Sequence, residues 1–155
     1  MTIMEKLPEM GKMLEWLKEK YEGNVVKGSR SEAGNWMELK LERIERGLAE
    51  ISLTVRREMT NPYGNIHGGM MCLVVDEAIG WAVISMDSEH HYTSMNLCVD
   101  FLYAIREGER LTAKSVVIRQ GKKIVNAECS VYDANGKLLA KAHSNLIATN
   151  MQIKE

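Results

Sequence analysis

Residues 61–80 read Asn61-Pro-Tyr-Gly-Asn-Ile-His-Gly-Gly-Met-Met-Cys-Leu-Val-Val-Asp-Glu-Ala-Ile-Gly80, and this stretch decides the fold. Its first half is rich in turn residues and ends in the pair Gly68 and Gly69. Its second half continues into an almost unbroken apolar run that ends near Ser85. Because such a run is longer than a typical strand, it predicts a helix that starts at the glycine pair.

The predicted helix is apolar on every side, which is typical of a helix enclosed by the rest of its fold. A transmembrane helix shares this pattern, but Asp76 at the centre of a span costs about 2.5–3.5 kcal/mol, and Glu77 adds to that cost. We therefore predict a buried core helix. A buried carboxylate must be paired, hydrogen-bonded or protonated. The two acids point about 100° apart, so one can face a cleft while the other reaches a surface or an interface.

The backbone N–H groups of Gly68 and Gly69 lie at the start of this helix, where N–H groups are free and the helix dipole favours negative charge. Neither residue has a Cβ atom, so a ligand can approach the backbone closely. An oxyanion hole for acyl transfer requires such donors. The glycine pair is therefore a candidate oxyanion site, and tight packing alone is the alternative.

The spacing of these residues resembles the central signature of the hotdog-fold acyl-CoA thioesterases. The matching residues are Asn61, Gly64, the triplet His67-Gly68-Gly69 and an acid nine positions after the histidine. That acid is Asp76. An aspartate at this position resembles the phenylacetate-degradation branch of the 4-hydroxybenzoyl-CoA thioesterase superfamily, whereas the 4-hydroxybenzoyl branch has glutamate there. The resemblance implies that Asp76 is the general base or nucleophile. It also implies that the Gly68 amide and the Asn61 side chain hold the thioester oxygen.

The segment from Ser94 to Ala104 resembles the strand that follows the helix in this family. There a Ser or Thr seven residues before the aromatic helps to place the water, and Ser94 matches it. The family usually has a proline just after the aromatic pair, where this chain has Tyr103-Ala104. The resemblance covers roughly residues 35–150, which we assign to a single hotdog thioesterase domain.

The rest of the pattern predicts an α+β fold. Residues 1–22 are assigned to an N-terminal amphipathic helix, with apolar residues at steps of three and four from residue 4 and Pro8 near its start. Its apolar stripe is typical of core packing, and a lid or partner surface over an acyl pocket is the alternative. Residues 23–34 predict a connection.

From Trp36 onward the apolar period changes to two, which predicts strands. A strand pair turns at Arg46-Gly47, a long strand carries odd-numbered apolar residues from Met95 to Ile105, and three more strands follow up to Ala148. The prediction is an antiparallel sheet of about six strands wrapped around one long central helix.

Composition excludes several classes of protein. The 155 residues carry a net charge of −1 with acids and bases interspersed, so there is no electrostatic footprint for nucleic acid. Cys72, Cys98 and Cys129 are odd in number and far apart, which indicates neither a disulfide framework nor a metal site. Acidic residues interrupt any signal-peptide core near the N-terminus, so we expect a cytoplasmic protein that is not embedded in a membrane.

The distance between the candidate groups predicts a shared site. Gly68 and Asp76 are eight residues apart, which is about 12 Å along a helix, so one chain cannot bring its own Asp76 to a carbonyl held at its own Gly68. We expect Gly68 and Asn61 of one subunit to face Asp76 and Ser94 of another across a two-fold axis. The resemblance implies homodimers or dimers of dimers.

The predicted mechanism needs few groups. Asp76 activates water or attacks directly, Ser94 orients the water, and Gly68 with Asn61 stabilises the oxyanion. No metal and no cofactor is required, since CoA is part of the substrate. Each residue also has a structural interpretation: a satisfied core carboxylate for Asp76, a turn residue for Asn61 and an ordinary strand residue for Ser94.

Other residues complete the candidate site. His67 is either a catalytic base or, more commonly for a histidine at a helix start, a residue that fixes the loop by hydrogen bonding. Gly69 and Tyr63 are candidates to contact the substrate. Arg119 and Lys122 lie in a basic turn that can meet the CoA phosphates, and solvated surface is the alternative.

These observations predict an acyl-CoA thioesterase that hydrolyses an aryl-, short- or medium-chain acyl-CoA to free acid and CoA. A non-catalytic acyl-CoA-binding hotdog protein would dispense with the base at Asp76. A hotdog enoyl-thioester hydratase would need a histidine and an acid in a different motif. Release of free thiol separates hydrolysis from both alternatives.

Overall fold

The computed structural model of the protein describes residues 7–151. Those residues form three α-helices and six β-strands. In chain order they are α1 (Met13–Tyr21), α2 (Glu32–Met37), β1 (Lys40–Glu45), β2 (Leu48–Thr54), α3 (Gly68–Ile84), β3 (His91–Phe101), β4 (Arg110–Gln120), β5 (Ile124–Asp133) and β6 (Leu138–Thr149). No helix within the described residues is both long enough and apolar enough to cross a membrane.

The six strands form one antiparallel sheet in the order β1-β2-β4-β5-β6-β3. The central helix α3 is 17 residues long and packs against β1, β2, β3, β4 and β5. The residues at its centre that are fully buried are Val74, Val75, Ala78, Ile79 and Ala82. The predicted α+β architecture, a sheet wrapped around one long helix as in the hotdog fold, is confirmed.

Two hairpin turns, the predicted one at Arg46-Gly47 and one at Gly136, each contain a glycine with left-handed backbone. Gly47 joins β1 to β2 with φ of +72°, and Gly136 joins β5 to β6 with φ of +82°. Since this left-handed backbone is unstrained only for glycine, these residues fix the turns and through them the strand register. On the inner face Ile51 of β2 pairs with Ala113 of β4, and both are fully buried.

The N-terminal helix is shorter than predicted. It begins at Met13 and not near Pro8, because Gly11 has φ of +90°, which a right-handed helix does not contain. The predicted apolar stripe does face the core, and its buried members are Met13, Leu17 and Tyr21. Residues 1–6 of the predicted segment lie outside the described residues.

Helix α2 lies where a connection and the start of a strand are predicted. Ser31 caps it, with a side chain that accepts a hydrogen bond from the Gly34 N–H at 3.1 Å. Glu38, with φ of +54°, ends the helix, and β1 begins at Lys40. The prediction of a strand at Trp36 is wrong. Helix α2 has only six residues, and over so short a segment the apolar pattern of a helix cannot be told from the alternating pattern of a strand.

The strand after α3 is shorter than the predicted run from Met95 to Ile105. β3 ends at Phe101, because the next two N–H groups, those of Leu102 and Tyr103, converge on one carbonyl at the start of β6. β3 lies at the edge of the sheet and pairs with β6 on one side. Its other side has no strand partner within the described residues.

Candidate active site

Asp76 and Ser94 lie together beside the middle of α3. The Ser94 hydroxyl donates a hydrogen bond of 3.1 Å to Oδ1 of Asp76. Both residues are exposed in the single chain, so the pair faces open space and not the core. A carboxylate in this setting can activate a water molecule or attack a carbonyl itself. We call Asp76 and Ser94 the carboxylate half-site.

The loop before α3 is folded into a tight turn by Asn61. Its Oδ1 accepts hydrogen bonds from the backbone N–H groups of Tyr63 at 3.0 Å and Asn65 at 3.2 Å. These bonds orient the amide plane and use the oxygen of the side chain, while Nδ2 is a donor with no acceptor within the described residues. The two interpretations of Asn61 are therefore compatible, because they use different atoms. Tyr63 lies at the tip of the loop and is 87% exposed.

His67 is the N-cap of α3. Its Nδ1 accepts a hydrogen bond of 2.9 Å from the Gly69 N–H, so the ring proton of the neutral histidine is on Nε2. This contact favours loop ordering over a role as base, and it occupies the Gly69 amide. Within residues 7–151 no acceptor is hydrogen-bonded to the Gly68 N–H, as expected for the first residue of a helix. We call Asn61 and Gly68 the amide half-site.

The two half-sites do not meet within one chain. Gly68 and Asp76 lie on the same unbroken helix, eight residues apart, and therefore about 12 Å apart along its axis. The other candidates are also separate: Arg119 is exposed at the end of β4, and Lys122 is exposed in the turn before β5. Among the described residues no group of three His, Cys, Asp or Glu side chains is placed to hold a metal ion.

A cavity of about 590 Å³ opens beside the carboxylate half-site. This volume is within the range of about 300–1,000 Å³ that small-molecule sites occupy. Its apolar and aromatic walls include Trp16, Leu17, Tyr21, Trp81, Ile84 and Tyr92. Gly69 and Tyr63, the two residues expected to contact the substrate, do not line this cavity.

Helix α1 forms one wall of the cavity through an aromatic cluster. The rings of Tyr21 and Trp81 meet edge to face with centroids 5.4 Å apart, and those of Trp16 and Tyr21 do so at 5.8 Å. The Lys20 ammonium lies 4.8 Å from the centre of the Trp16 ring. Edge-to-face pairs add about 0.5–1.5 kcal/mol beyond their buried area. The helix therefore both packs against the core and lines the cavity.

Glu77 lies in the same cavity, with a partner that the sequence does not indicate. The Ser31 hydroxyl donates a hydrogen bond to Oε1 of Glu77. Oε2 lies close to Gly34, where an added Cβ would come within 2.6 Å of it. Burial raises the pKa of Glu77 above its ordinary value, and the neighbouring Asp76 charge acts in the same direction, while the Ser31 bond opposes both. Ser31 and Gly34 are 46 and 43 residues from Glu77, so local spacing gives no signal.

Replacing Glu77 by Gln is expected to increase the free energy of unfolding more at neutral pH than near pH 4. Because the folded state raises this pKa, it binds the proton more tightly than the unfolded chain does. The wild type therefore loses stability as pH rises from 4.5 through the folded pKa. Gln stays neutral and keeps an acceptor for Ser31. Urea unfolding of both proteins across this pH range checks the prediction, and a difference that is constant with pH would contradict it.

The fold and the two half-sites together define a class of protein. A carboxylate with a hydroxyl partner, an amide donor at a helix N-terminus and an adjoining apolar cavity are the parts of an acyl-transfer site. The family model that describes the thioesterase superfamily matches residues 63–140.

Relatives support the same assignment. A candidate esterase of Saccharolobus solfataricus is 31% identical over 113 residues, which cover 73% of this chain and 75% of the relative. Human acyl-coenzyme A thioesterase 13 is 26% identical over 90 residues, or 57% of this chain and 64% of the relative. The chain belongs to the thioesterase superfamily, and it is a thioester hydrolase, as predicted.

Solved structures agree in fold. The PaaI protein from the phenylacetic acid degradation operon of E. coli superposes with a TM-score of 0.74, at 22% identity, covering 80% of this chain and 88% of its own. A thioesterase protein from Streptococcus pneumoniae, solved with coenzyme A, superposes with a TM-score of 0.69 at 23% identity, covering 74% and 88%. At these identities the likeness extends to the fold alone, and it confirms the predicted hotdog architecture.

Proposed function

We propose that the protein hydrolyses acyl-CoA thioesters to a free acid and CoA. The observation that carries the proposal is the Ser94–Asp76 hydrogen bond of 3.1 Å at the mouth of an aromatic-lined cavity. The names of human acyl-coenzyme A thioesterase 13 and of the S. pneumoniae structure with coenzyme A support the CoA half of the substrate. We place the enzyme in the cytoplasm.

The carboxylate half-site would supply the attacking group. Asp76 either takes a proton from a water molecule that Ser94 orients or attacks the thioester carbonyl directly. The negative charge that develops on the carbonyl oxygen is held by the Gly68 N–H and the Asn61 Nδ2. The C–S bond then breaks, and CoA leaves as a thiolate that needs little acid assistance. Attack by water gives the free acid at once, whereas attack by Asp76 leaves an acyl-aspartate anhydride that a water molecule then hydrolyses to the free acid.

A complete site would require two copies of the chain. β3 is an edge strand with exposed apolar residues in and after it: Met95, Phe101 and Tyr103 are 58%, 57% and 58% exposed. Exposed edges of this kind invite pairing with another chain. A homodimer across this edge would bring the amide half-site of one subunit to the carboxylate half-site of the other. Exposed Val116 and Ile118 on β4 suit the second contact of a dimer of dimers.

The cavity suits a compact acyl group. Its walls at Trp16, Tyr21 and Trp81 favour aryl or short to medium aliphatic chains over polar ones. The CoA part would extend away from the cavity, where Arg119 and Lys122 can meet its phosphates as a fork and a point charge. The acyl group would thus lie against α1 and α3, and the CoA part against the end of β4 and the turn before β5.

We expect free thiol to be released from at least one member of a panel of phenylacetyl-, acetyl- and hexanoyl-CoA, with kcat of about 1–10³ s⁻¹. The matching N-acetylcysteamine thioesters, which lack the CoA phosphates, serve as the control and should show a raised KM. Binding without thiol release would indicate a non-catalytic acyl-CoA-binding protein. Consumption of an enoyl thioester with no free thiol would indicate a hydratase.

A further inference from the structure

β3 contains one extra residue at the level of the carboxylate half-site. The pairing register with β6 shifts between Ser94 and Asn96, so Met95 is left as a β-bulge. Ser94 before the bulge reaches Asp76, and Leu97 after it packs against the core. Side chains on one face of a regular strand are two residues apart, but Ser94 and Leu97 are three apart. The bulge is therefore what allows both residues to lie on the side of the sheet that carries α3.

Side chains on β6 hold Asn96, the residue after the bulge. Its Oδ1 accepts hydrogen bonds from the backbone N–H of Asn145 at 2.9 Å and from Nδ2 of Asn145 at 3.2 Å. Its carbonyl oxygen accepts one from the hydroxyl of buried Ser144 at 2.8 Å. Asn145 is itself oriented by Asn126 of β5, which donates to its Oδ1. Three asparagines in a row across β5, β6 and β3 thus end at the bulge.

These bonds satisfy backbone groups beside the bulge, where the regular ladder is interrupted. In a regular antiparallel pair the Asn145 N–H and the Asn96 carbonyl would bond to backbone groups. Here side chains bond to both groups: Asn96 Oδ1 accepts from the Asn145 N–H, and the Ser144 hydroxyl donates to the Asn96 carbonyl. Without those side chains the Asn145 N–H and the Asn96 carbonyl lose these hydrogen bonds. The regular register, which offers both groups backbone partners, then becomes more favourable. A slip of one residue turns every preceding side chain to the other face, so Met95 would replace Ser94 beside Asp76.

We propose that Asn96, held by Asn145, is a positioning residue that keeps the bulge at Met95 and so aims Ser94 at Asp76. The inference rests on the proposed function through the role given to Ser94. Asn96 touches no reacting atom in this scheme. It acts on the reaction only through the register of β3.

The test compares Asn96→Ala with Asn96→Asp. Alanine removes the acceptor for both Asn145 donors, whereas aspartate keeps it. We expect Asn96→Ala to lower kcat on the order of a hundredfold, as misplacement of a reacting group by about 1 Å can do, with KM within about twofold because the cavity walls are unchanged. Asn96→Asp should retain kcat within a few-fold. Equal activity of the two variants would overturn the inference.

A double variant shows whether Asn96 acts through Ser94. Ser94→Ala with Asn96→Ala should be no slower than Ser94→Ala alone, because the second change removes nothing further. If the kcat loss of the double variant equals the product of the two single losses, the inference is overturned. A crystal structure of Asn96→Ala gives a readout independent of activity: Ser94 turned away from Asp76 supports the inference, and an intact bulge contradicts it.

The outcomes also separate this inference from the proposed function. If the wild type releases no thiol, the proposed function fails, and the crystal structure alone decides whether Asn96 holds the bulge. If the wild type is active and Asn96→Ala matches it, the inference fails alone. Should Asn96→Ala not fold, Asn145→Ala removes one of the two donors and keeps the backbone bond. Asn145→Ala is then expected to lower kcat less than the hundredfold given for Asn96→Ala. Added to Ser94→Ala, it should cause no further loss.

Discussion

Asp76→Asn is expected to lower kcat for thioester hydrolysis by about two to four orders of magnitude, the usual contribution of a general base. The amide has nearly the shape of the carboxylate and still offers an oxygen to the Ser94 hydroxyl. It cannot take a proton from water, nor can it attack as a carboxylate. Since the exposed position of Asp76 involves no core packing, the variant should fold as the wild type does.

The measurement is thiol release under saturating substrate, with thermal unfolding to confirm folding. Glu128→Gln is the matched control, because it also converts a carboxylate to an amide but lies exposed on β5, away from the cavity. It should leave kcat unchanged within about twofold. If Asp76→Asn and Glu128→Gln are equally active, Asp76 is not the base or nucleophile.

The central helix could be predicted because its determinants are local. A continuous apolar run after Gly68 and Gly69 both sets the helix start and requires burial on all sides, and α3 has those properties. The hairpins at Gly47 and Gly136 follow from turn residues in the same way. The distance between the Gly68 and Asp76 positions also follows from helix geometry alone. The six-stranded sheet and the separation of the half-sites were therefore accessible from sequence.

The contacts that complete the cavity were not accessible, because they join residues far apart in the chain. Ser31 meets Glu77 through the cap of α2, a helix too short to leave a periodic signal. At the bulge the side chain of Asn96 bonds to Asn145 of β6, 49 residues later. The alternation of apolar residues along β3 does not reveal this bulge. In a strictly alternating strand Ser94 and Leu97 would lie on opposite faces, and they share a face only because the pairing register shifts.

His67 shows how the structure distinguishes interpretations that the sequence left open. A histidine in this position can be a base or can order the loop. Its Nδ1 accepts from the Gly69 N–H, which orders the start of α3 and leaves the Gly68 N–H for an oxygen. Of the two glycine N–H groups considered for the oxyanion hole, the Gly68 N–H is therefore the remaining candidate. Because Gly68 is the first residue of α3, its N–H can be eliminated by substitution while the helix still forms.

Gly68→Pro is expected to lower kcat by about 10²–10³, the loss found when one oxyanion-hole donor is removed. Gly68 is the first residue of α3, where proline is favoured and its missing N–H breaks no helical hydrogen bond. The preceding residue, His67, already has the extended backbone that a residue before proline requires, with ψ of 139°. The substitution therefore removes the donor while the helix start is kept. Steady-state kinetics of thiol release measure the loss.

Gly68→Ala is the matched control, because it adds bulk and keeps the N–H. Its Cβ would lie 3.4 Å from the Phe101 ring, a contact that this exposed side chain can accommodate. We expect a smaller loss of kcat than with proline, because the N–H donor is kept although the added Cβ crowds the approach to the backbone. If alanine and proline are equally damaging, steric contact with Phe101 explains the loss, and the Gly68 amide does not hold the oxyanion.

The two inactive variants together test whether the site is shared between subunits. In a dimer of Asp76→Asn with Gly68→Pro, one site would carry both changes and the other neither. After random exchange half of the dimers are mixed, each with one intact site, so about a quarter of the wild-type activity should return. Native mass spectrometry confirms that exchange has occurred. Mixed dimers that form but stay inactive would contradict a site built from Gly68 of one subunit and Asp76 of the other.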